Sequence, residues 1–286
     1  MSAITIRLGG VPEHFNLPIH LAIEKGLFAS KGIDLQWIEY AGGTGQMTKA
    51  LRDNESDVCI ALTEGVIAAI IKGNPSKIIS EYVTSPLIWG IHTGANNRLQ
   101  SGDDYFQKQH AISRFGSGSH LMAIVNANSQ KIALGEDQFT VIGNLNGALE
   151  SLENLATDVF YWEKFTTKPY VDAGQLRRIG EYPTPWPCFV IAATDKILKD
   201  QPQAITAMLE VIHNSCSEFM KDESVINLVS QRYDQQLEDI QEWYEITKWA
   251  EQSAVDQGMI DQVVSSLKAA EVISNNESIP NLTVNV

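Results

Sequence analysis

The sequence predicts an α/β protein of two bodies, each a mainly parallel sheet flanked by helices, with a helical C-terminal tail. Three observations predict it. Strand-like and helix-like segments alternate through the first 73 residues. The alternation restarts in shorter form at "HAIS", residues 110–113. The segment "SDVCIAL" is apolar almost throughout, as a central strand buried on both faces must be.

In order along the chain, "AITIRLG" reads as the first strand. Pro18 opens a helix at its first position, where the missing N–H costs nothing; Ile19, Ala22, Ile23 and Leu27 share its apolar face. Gly26 and Gly32 punctuate its end. "IDLQWIEY" sets Ile33, Leu35 and Trp37 against Asp34, Gln36 and Ile38, the period of a strand. "GGTG" leads into a helix carrying Met47, Ala50 and Leu51. After "SDVCIAL", Thr63 is placed to cap a helix bearing Val66, Ile67, Ile70 and Ile71. "KIISEYVT" and "LIWGIHT" are two more strands, joined at Ser85-Pro86.

The second block runs from "HAIS" through a Gly/Ser loop to a helix from Ser119 to about Gln130. The strand "QFTVIG", a helix from Asn144 to Ala156 and the strand "DVFYW" follow. In "EYPTPWPCFVIAAT", three prolines precede a strongly apolar strand. The remainder is mostly helical, with Ile205, Met208, Leu209, Ile212, Cys216 and Phe219 on one stripe and Trp243, Ile246 and Trp249 continuing it. Residues 1–86 and 188–286 are therefore expected to form one body and 87–187 the other, with a hinge at the two proline-bearing crossings.

The chain has 286 residues, 44% of them hydrophobic and 20% charged, ordinary values for a soluble globular protein. A formal charge of −14 excludes nucleic acid and anionic membrane surfaces as partners, because their phosphates would be repelled. Cys59, Cys188 and Cys216 form no CxxC pair and leave an odd thiol, which fits a reducing compartment. "MSAITIRLGG" has neither a basic n-region nor a long apolar h-region, and no run is long enough to span a membrane. A cytoplasmic location is expected. No histidine has a partner at metal spacing, so neither a metal nor a cofactor is expected.

"SRFGSGSHLMA", residues 113–123, is the most distinctive loop. It lacks the Gly-Lys-Ser/Thr ending of a phosphate loop, the third glycine of a dinucleotide fingerprint and the spacing of a nucleophile elbow. What remains is a bundle of exposed backbone N–H groups at a helix start. In a parallel sheet, ligands bind where strands end and helices begin. Four loops qualify: "GGVPEHFNLP", "AGGTGQM", "LTEGV" and "SRFGSGSHL", the last bringing Phe115, Gly116 and Gly118. The helix start at Asn144 follows another strand end. Several helix N-termini aimed at one cleft would attract a small anion despite the acidic surface.

His14, between a strand and Pro18, is expected to be exposed in that cleft. His120 is either a ligand contact or part of the turn. Glu64 either meets ligand or stabilises its helix dipole. Trp162 and Glu163 close a strand, while Trp89 and Trp186 sit at the crossings, where a flat ring can stack on a planar ligand or plug the gap.

The stretch from "GGVPEHFNLPIHLAIEKGLF" through "SDVCIALTEG", with "SRFGSGSH" and "YPTPWPCFVIA", resembles the type II periplasmic solute-binding proteins, in the branch that binds alkanesulfonates, taurine and thiamine pyrimidines. The resemblance implies two lobes closing on a small polar molecule. It implies ligand contacts at His14 and Phe15, at Thr44, Gly45 and Gln46, at Thr63 and Glu64, and at Ser117, Gly118, Ser119 and His120. Secreted members carry a leader, so this chain resembles the cytosolic members, and delivery to a transporter is not expected. Some cytosolic relatives are synthases of the thiamine pyrimidine that use pyridoxal phosphate and a cysteine-rich motif. No such cluster occurs here, so binding ranks above catalysis.

Overall fold

The computed structural model describes residues 3–102 and 104–286. The described residues form ten strands: β1 Ile4–Gly10, β2 Ile33–Glu39, β3 Val58–Leu62, β4 Ser76–Val83, β5 Ile88–Gly94, β6 His110–Ile112, β7 Phe139–Val141, β8 Val159–Glu163, β9 Leu176–Pro183 and β10 Phe189–Thr194. The chain divides into two compact units. The first holds residues 3–85, 186–264 and 275–286; the second holds Pro86–Pro185 and Ser265–Ser274. Residues 265–274 thus count with the second unit, whereas the sequence reading keeps all of 188–286 with the first.

The sheet of the first unit has the order β2-β1-β3-β10-β4. β1 runs parallel to β2 and β3, while β10 is antiparallel to both β3 and β4. The sheet is mixed rather than mainly parallel, and the reason is local. The segment Trp186–Cys188 reaches the sheet at the edge where β3 ends, since Phe189 pairs with Leu62, so β10 can only run back down. β3 and β10 are almost wholly buried, as their unbroken apolar runs require. The helices Leu17–Glu24 and Pro202–Phe219 pack together, burying Leu17, Ile19, Ile205, Met208 and Ile212. The first helix begins at Leu17, so Pro18 stands at its second position rather than its first.

The second unit repeats the scheme in the order β7-β6-β8-β5-β9, with β6 parallel to β7 and β8 and β5 antiparallel to β8 and β9. β9, "LRRIGEYP", was not visible as a strand: its two arginines and a glutamate mask the alternation that an edge strand needs only on one face. Ala111, Ala148, Leu152, Phe160 and Leu176 form a buried cluster, with Trp162 and Tyr170 packed against it. No helix among the described residues is long and apolar enough to cross a membrane.

Candidate functional site

In the first unit, β1, β2 and β3 are parallel and end side by side. Gly10 pairs with Glu39, and Gly9 with Cys59 three residues before Leu62. Loops Val11–Asn16, Tyr40–Gly43, Thr63–Glu64 and Trp186–Cys188 therefore gather on one sheet edge. His14 lies there, but it is only 3% exposed, which corrects the expectation of an exposed imidazole. Its ring is 4.9 Å from Phe15 and 4.4 Å from Trp243, and desolvation pulls its pKa down to about 3, so it is neutral. Nε2 of His14 is buried with no partner among the described residues. The Phe15 carbonyl accepts from Tyr82 Oη (2.9 Å) and Trp249 Nε1 (3.1 Å), and the Phe15 ring lies 5.3 Å from Phe189.

Several predicted residues are engaged in holding the loops. Thr44 Oγ1 accepts the Leu62 N–H at 3.1 Å, tying the second loop to the end of β3. Gln46 Oε1 accepts from the Gly42 N–H, and the Gly45 carbonyl accepts from Thr48 Oγ1. Thr63 is not the helix cap that the sequence suggests. It is the first residue of the helix Thr63–Ile71, and its hydroxyl donates to the Pro187 carbonyl at 2.6 Å while its N–H reaches Cys188. The chain's return segment is thereby clamped onto the end of β3.

Glu64, in the first turn of that helix, is 3% exposed. Its Oε2 accepts from Trp186 Nε1 at 3.0 Å, and its Oε1 is buried without a hydrogen-bond partner among the described residues. Desolvation pushes its pKa up to about 7, with a backbone N–H and Trp186 pulling the other way. A helix-dipole carboxylate in water would stay ionised well below this; burial has made Glu64 an acid poised near neutrality.

In the second unit, β6, β7 and β8 are parallel, so Ser113–Ser119, Asn144 and Glu163 share an edge with Trp89, which pairs with Glu163 across the sheet. Ser117 caps the helix Gly118–Ser129, which starts one residue before the predicted Ser119, and its Oγ accepts the His120 N–H. Ser119 Oγ takes the Ser113 N–H at 3.0 Å, and His120 Nδ1 takes the Gly116 N–H at 3.1 Å. Gly116 has φ +75°, a conformation that side chains disfavour. Helix geometry leaves the N–H groups of Gly118 and Ser119 without an intrahelical acceptor, and beside them the Phe115 ring is 51% exposed. His120 is buried against Phe139 and Phe115, and burial lowers its pKa.

The remaining predicted residues of this unit make internal contacts. Asn144 Oδ1 caps the helix Leu145–Glu153 through the Gly147 N–H. Glu163 is buried, its pKa raised by desolvation, and its oxygens accept from the N–H groups of Phe165 and Thr166 and the Thr166 hydroxyl. Trp162 stacks on Phe160, and Trp89 Nε1 donates to Thr184. Sequence reasoning missed Trp243, Trp249, Tyr82 and Phe189 as walls of the first edge. It also missed Lys164, buried beside Glu181 at 3.1 Å. A cavity of about 430 Å³ lined by Ala3, Thr5, Ile23, Phe28 and Ile33 lies at the other end of β1 and β2 and contains none of the candidates. The described residues hold no cluster of His, Cys, Asp and Glu fit for a metal ion.

Two units with mixed, helix-flanked sheets of matching strand order define the periplasmic-binding-protein fold. The chain aligns with the CA3427 gene product of Candida albicans, a protein described as defining a family with that generic fold. The identity is 26% over 99% of this chain and 98% of that one, with a TM-score of 0.88. It also matches the alkanesulfonate-binding protein SsuA of Xanthomonas axonopodis pv. citri bound to MOPS, at 11% identity over all of both chains and a TM-score of 0.82. PhnD1 of Prochlorococcus marinus, in complex with methylphosphonate, matches at 10% identity over 94% of this chain and 99% of that one, with a TM-score of 0.62. No curated protein sequence matches the chain. Residues 89–182 match the family model described as Ca3427-like PBP. The likeness to the periplasmic-binding-protein fold holds over the whole chain, and the Ca3427-like pattern lies in residues 89–182.

Proposed function

We propose that this chain is a cytoplasmic binding protein for a small anionic or heteroaromatic metabolite, of sulfonate, carboxylate or thiamine-pyrimidine-like character, and that it works without covalent chemistry. One observation carries the reading. In each unit loops carrying Gly, Ser and Thr gather at the carboxyl edge of the parallel strands where helices begin, and at the start of the helix Gly118–Ser129 the N–H groups of Gly118 and Ser119 have no intrahelical acceptor. Similar folds hold a sulfonate buffer and a methylphosphonate, which supports a small polar ligand. The thiols support binding over catalysis. All three cysteines are buried and none forms a disulfide among the described residues; desolvation pushes the Cys59 thiol up to about 12 and raises that of Cys216 as well, so neither is a nucleophile at neutral pH. Cysteines outside any disulfide also suit a reducing compartment.

Thermal-shift screening of the full chain against alkylsulfonates, carboxylates, phosphonates and aminopyrimidines tests this. A ligand present at 100 times its Kd stabilises by about 2.7 kcal/mol, worth roughly 5–10 °C in a chain of this size. If no compound of these classes moves the transition, the proposal falls.

A further inference from the structure

We infer that the first unit carries a second ligand site, on its helical face, for a small zwitterion with an aliphatic tail, the chemistry of a free aliphatic amino acid. The site is separate from the strand-end loops and does not depend on the binding reading above.

Two helix stripes build it. Pro18, Leu21, Ala22 and Lys25 recur at the spacing of one face of the helix Leu17–Glu24 and its C-terminal cap. Ser215, Glu218, Phe219 and Asp222 repeat that spacing along the end of the helix Pro202–Phe219 and the turn after it. The helices pack together, and the two stripes line a cavity of about 190 Å³ that Leu27 and Val225 complete. Drug-sized ligands occupy about 300–1,000 Å³, so the occupant of this space is small. Leu21, Leu27, Phe219 and Val225 offer it hydrocarbon, which a short branched chain covers favourably and a charged one does not.

The rim asks for two opposite charges. Glu218 and Asp222 stand at the end of the helix Pro202–Phe219, whose last turn holds no basic residue. Their carboxylates add to the negative pole of an 18-residue helix, which favours a cation there. Lys25 stands on the other helix. Asp222 Oδ1 takes the hydroxyl and N–H of Ser224, and those bonds, with Lys25 nearby, hold the Asp222 carboxyl below its ordinary range. Lys25 acts on Asp222 only through space: among the described residues the two form no ion pair. An ammonium alone would meet Lys25, and a carboxylate alone would meet Glu218 and Asp222. A molecule bearing both charges answers each side.

One buried polar group points the same way. Ser215 lines the cavity at 8% exposure, and its Oγ has no hydrogen-bond partner among the described residues. A helical serine can bond back to the carbonyl one turn earlier; this one does not. An unmet buried hydroxyl destabilises the fold, and a polar ligand that reaches it removes that cost.

Calorimetric titration of the full chain with L-leucine tests the inference, up to about 1 mM, the top of the range in which proteins ordinarily meet small substrates. Binding is expected. 4-Methylpentanoate lacks the ammonium, 3-methylbutylamine lacks the carboxylate and glycine lacks the tail. Each is expected to bind at least about 10-fold more weakly. These comparisons use the unaltered protein. Glu218→Lys locates the site: the position is exposed at a helix end, so the melting temperature should hold while leucine affinity falls about 10-fold or more. No binding of leucine overturns the inference, as does equal affinity for any of the three comparison compounds. Leucine binding that Glu218→Lys leaves unchanged puts the ligand elsewhere and overturns it too. None of these outcomes bears on the strand-end loops, whose ligand classes are screened separately.

Discussion

Gly65 and Thr44 offer a direct test of how the first loop edge is built. A Cβ at Gly65 would stand 2.4 Å from Thr44 Cγ2 and 3.4 Å from Thr44 Cβ. Carbon atoms in contact prefer about 3.5–4.0 Å, so Gly65→Ala forces Thr44 aside by about 1 Å. Thr44 cannot yield freely, since its Oγ1 holds the Leu62 N–H at 3.1 Å. Overpacking costs about 1–3 kcal/mol, and a weakened hydrogen bond adds about 1 kcal/mol. Replacing a helical glycine by alanine returns about 1 kcal/mol. Gly65→Ala should therefore destabilise by about 1–3 kcal/mol. Thr44→Ser keeps the hydroxyl and deletes Cγ2, costing about 0.8 kcal/mol of burial alone. Combined with Gly65→Ala it frees the space, and the double variant should lie within about 1 kcal/mol of the parent. Urea titrations followed by tryptophan fluorescence report the three midpoints. A Gly65→Ala protein as stable as the parent, or a double variant no better than Gly65→Ala alone, would refute the contact as described.

Three further outcomes are expected. Trp186→Phe removes the donor to Glu64 and should cost about 1–3 kcal/mol. The loss should be larger at pH 8 than at pH 6, because the bond favours the ionised carboxyl and its pKa stands at about 7; equal losses at both pH values would count against it. Burial holds His92 and His110 at about 4, below the ordinary 6.5. The unfolded chain then takes up protons that the folded one refuses, so their contribution is intact above about pH 6.5 and is lost as pH falls towards 4. At pH 5 each should cost on the order of 2 kcal/mol, and His110→Phe should flatten the fall in urea midpoint between pH 7 and 5. Ser117→Ala should lower stability by about 1 kcal/mol through loss of the helix cap, measured as the same midpoint shift.

The sheets were legible where hydrophobic period and burial agree. "SDVCIAL" reads as a central strand and "CFVIAAT" as a strongly apolar one, and both lie inside the sheet with their side chains buried. The edge strand β9 was not legible, since a half-exposed strand tolerates Arg177, Arg178 and Glu181. The direction of β10 was hidden for another reason: periodicity reports which residues are buried, not which way a strand runs. At the candidate site, the loops were found because strand ends and small residues mark them. His14 was misjudged because its cover comes from Trp243, 229 positions along the sequence. Nothing in the spacing of a C-terminal helix says which distant loop it will shield. The empty oxygen of Glu64 was equally invisible, being a matter of what surrounds it.

The place of β10 in the first sheet has a consequence for synthesis. It lies between β3 and β4, yet it leaves the ribosome more than a hundred residues after either. Until residues 189–194 emerge, two apolar strands wait with raw, unzipped borders facing each other, the kind of surface that recruits neighbouring nascent chains. The intervening stretch, Pro86–Pro185, is meanwhile free to begin organising. A ribosome stalled anywhere in that interval would release a half-closed first sheet, and such fragments should depend on chaperones in a way the finished molecule does not.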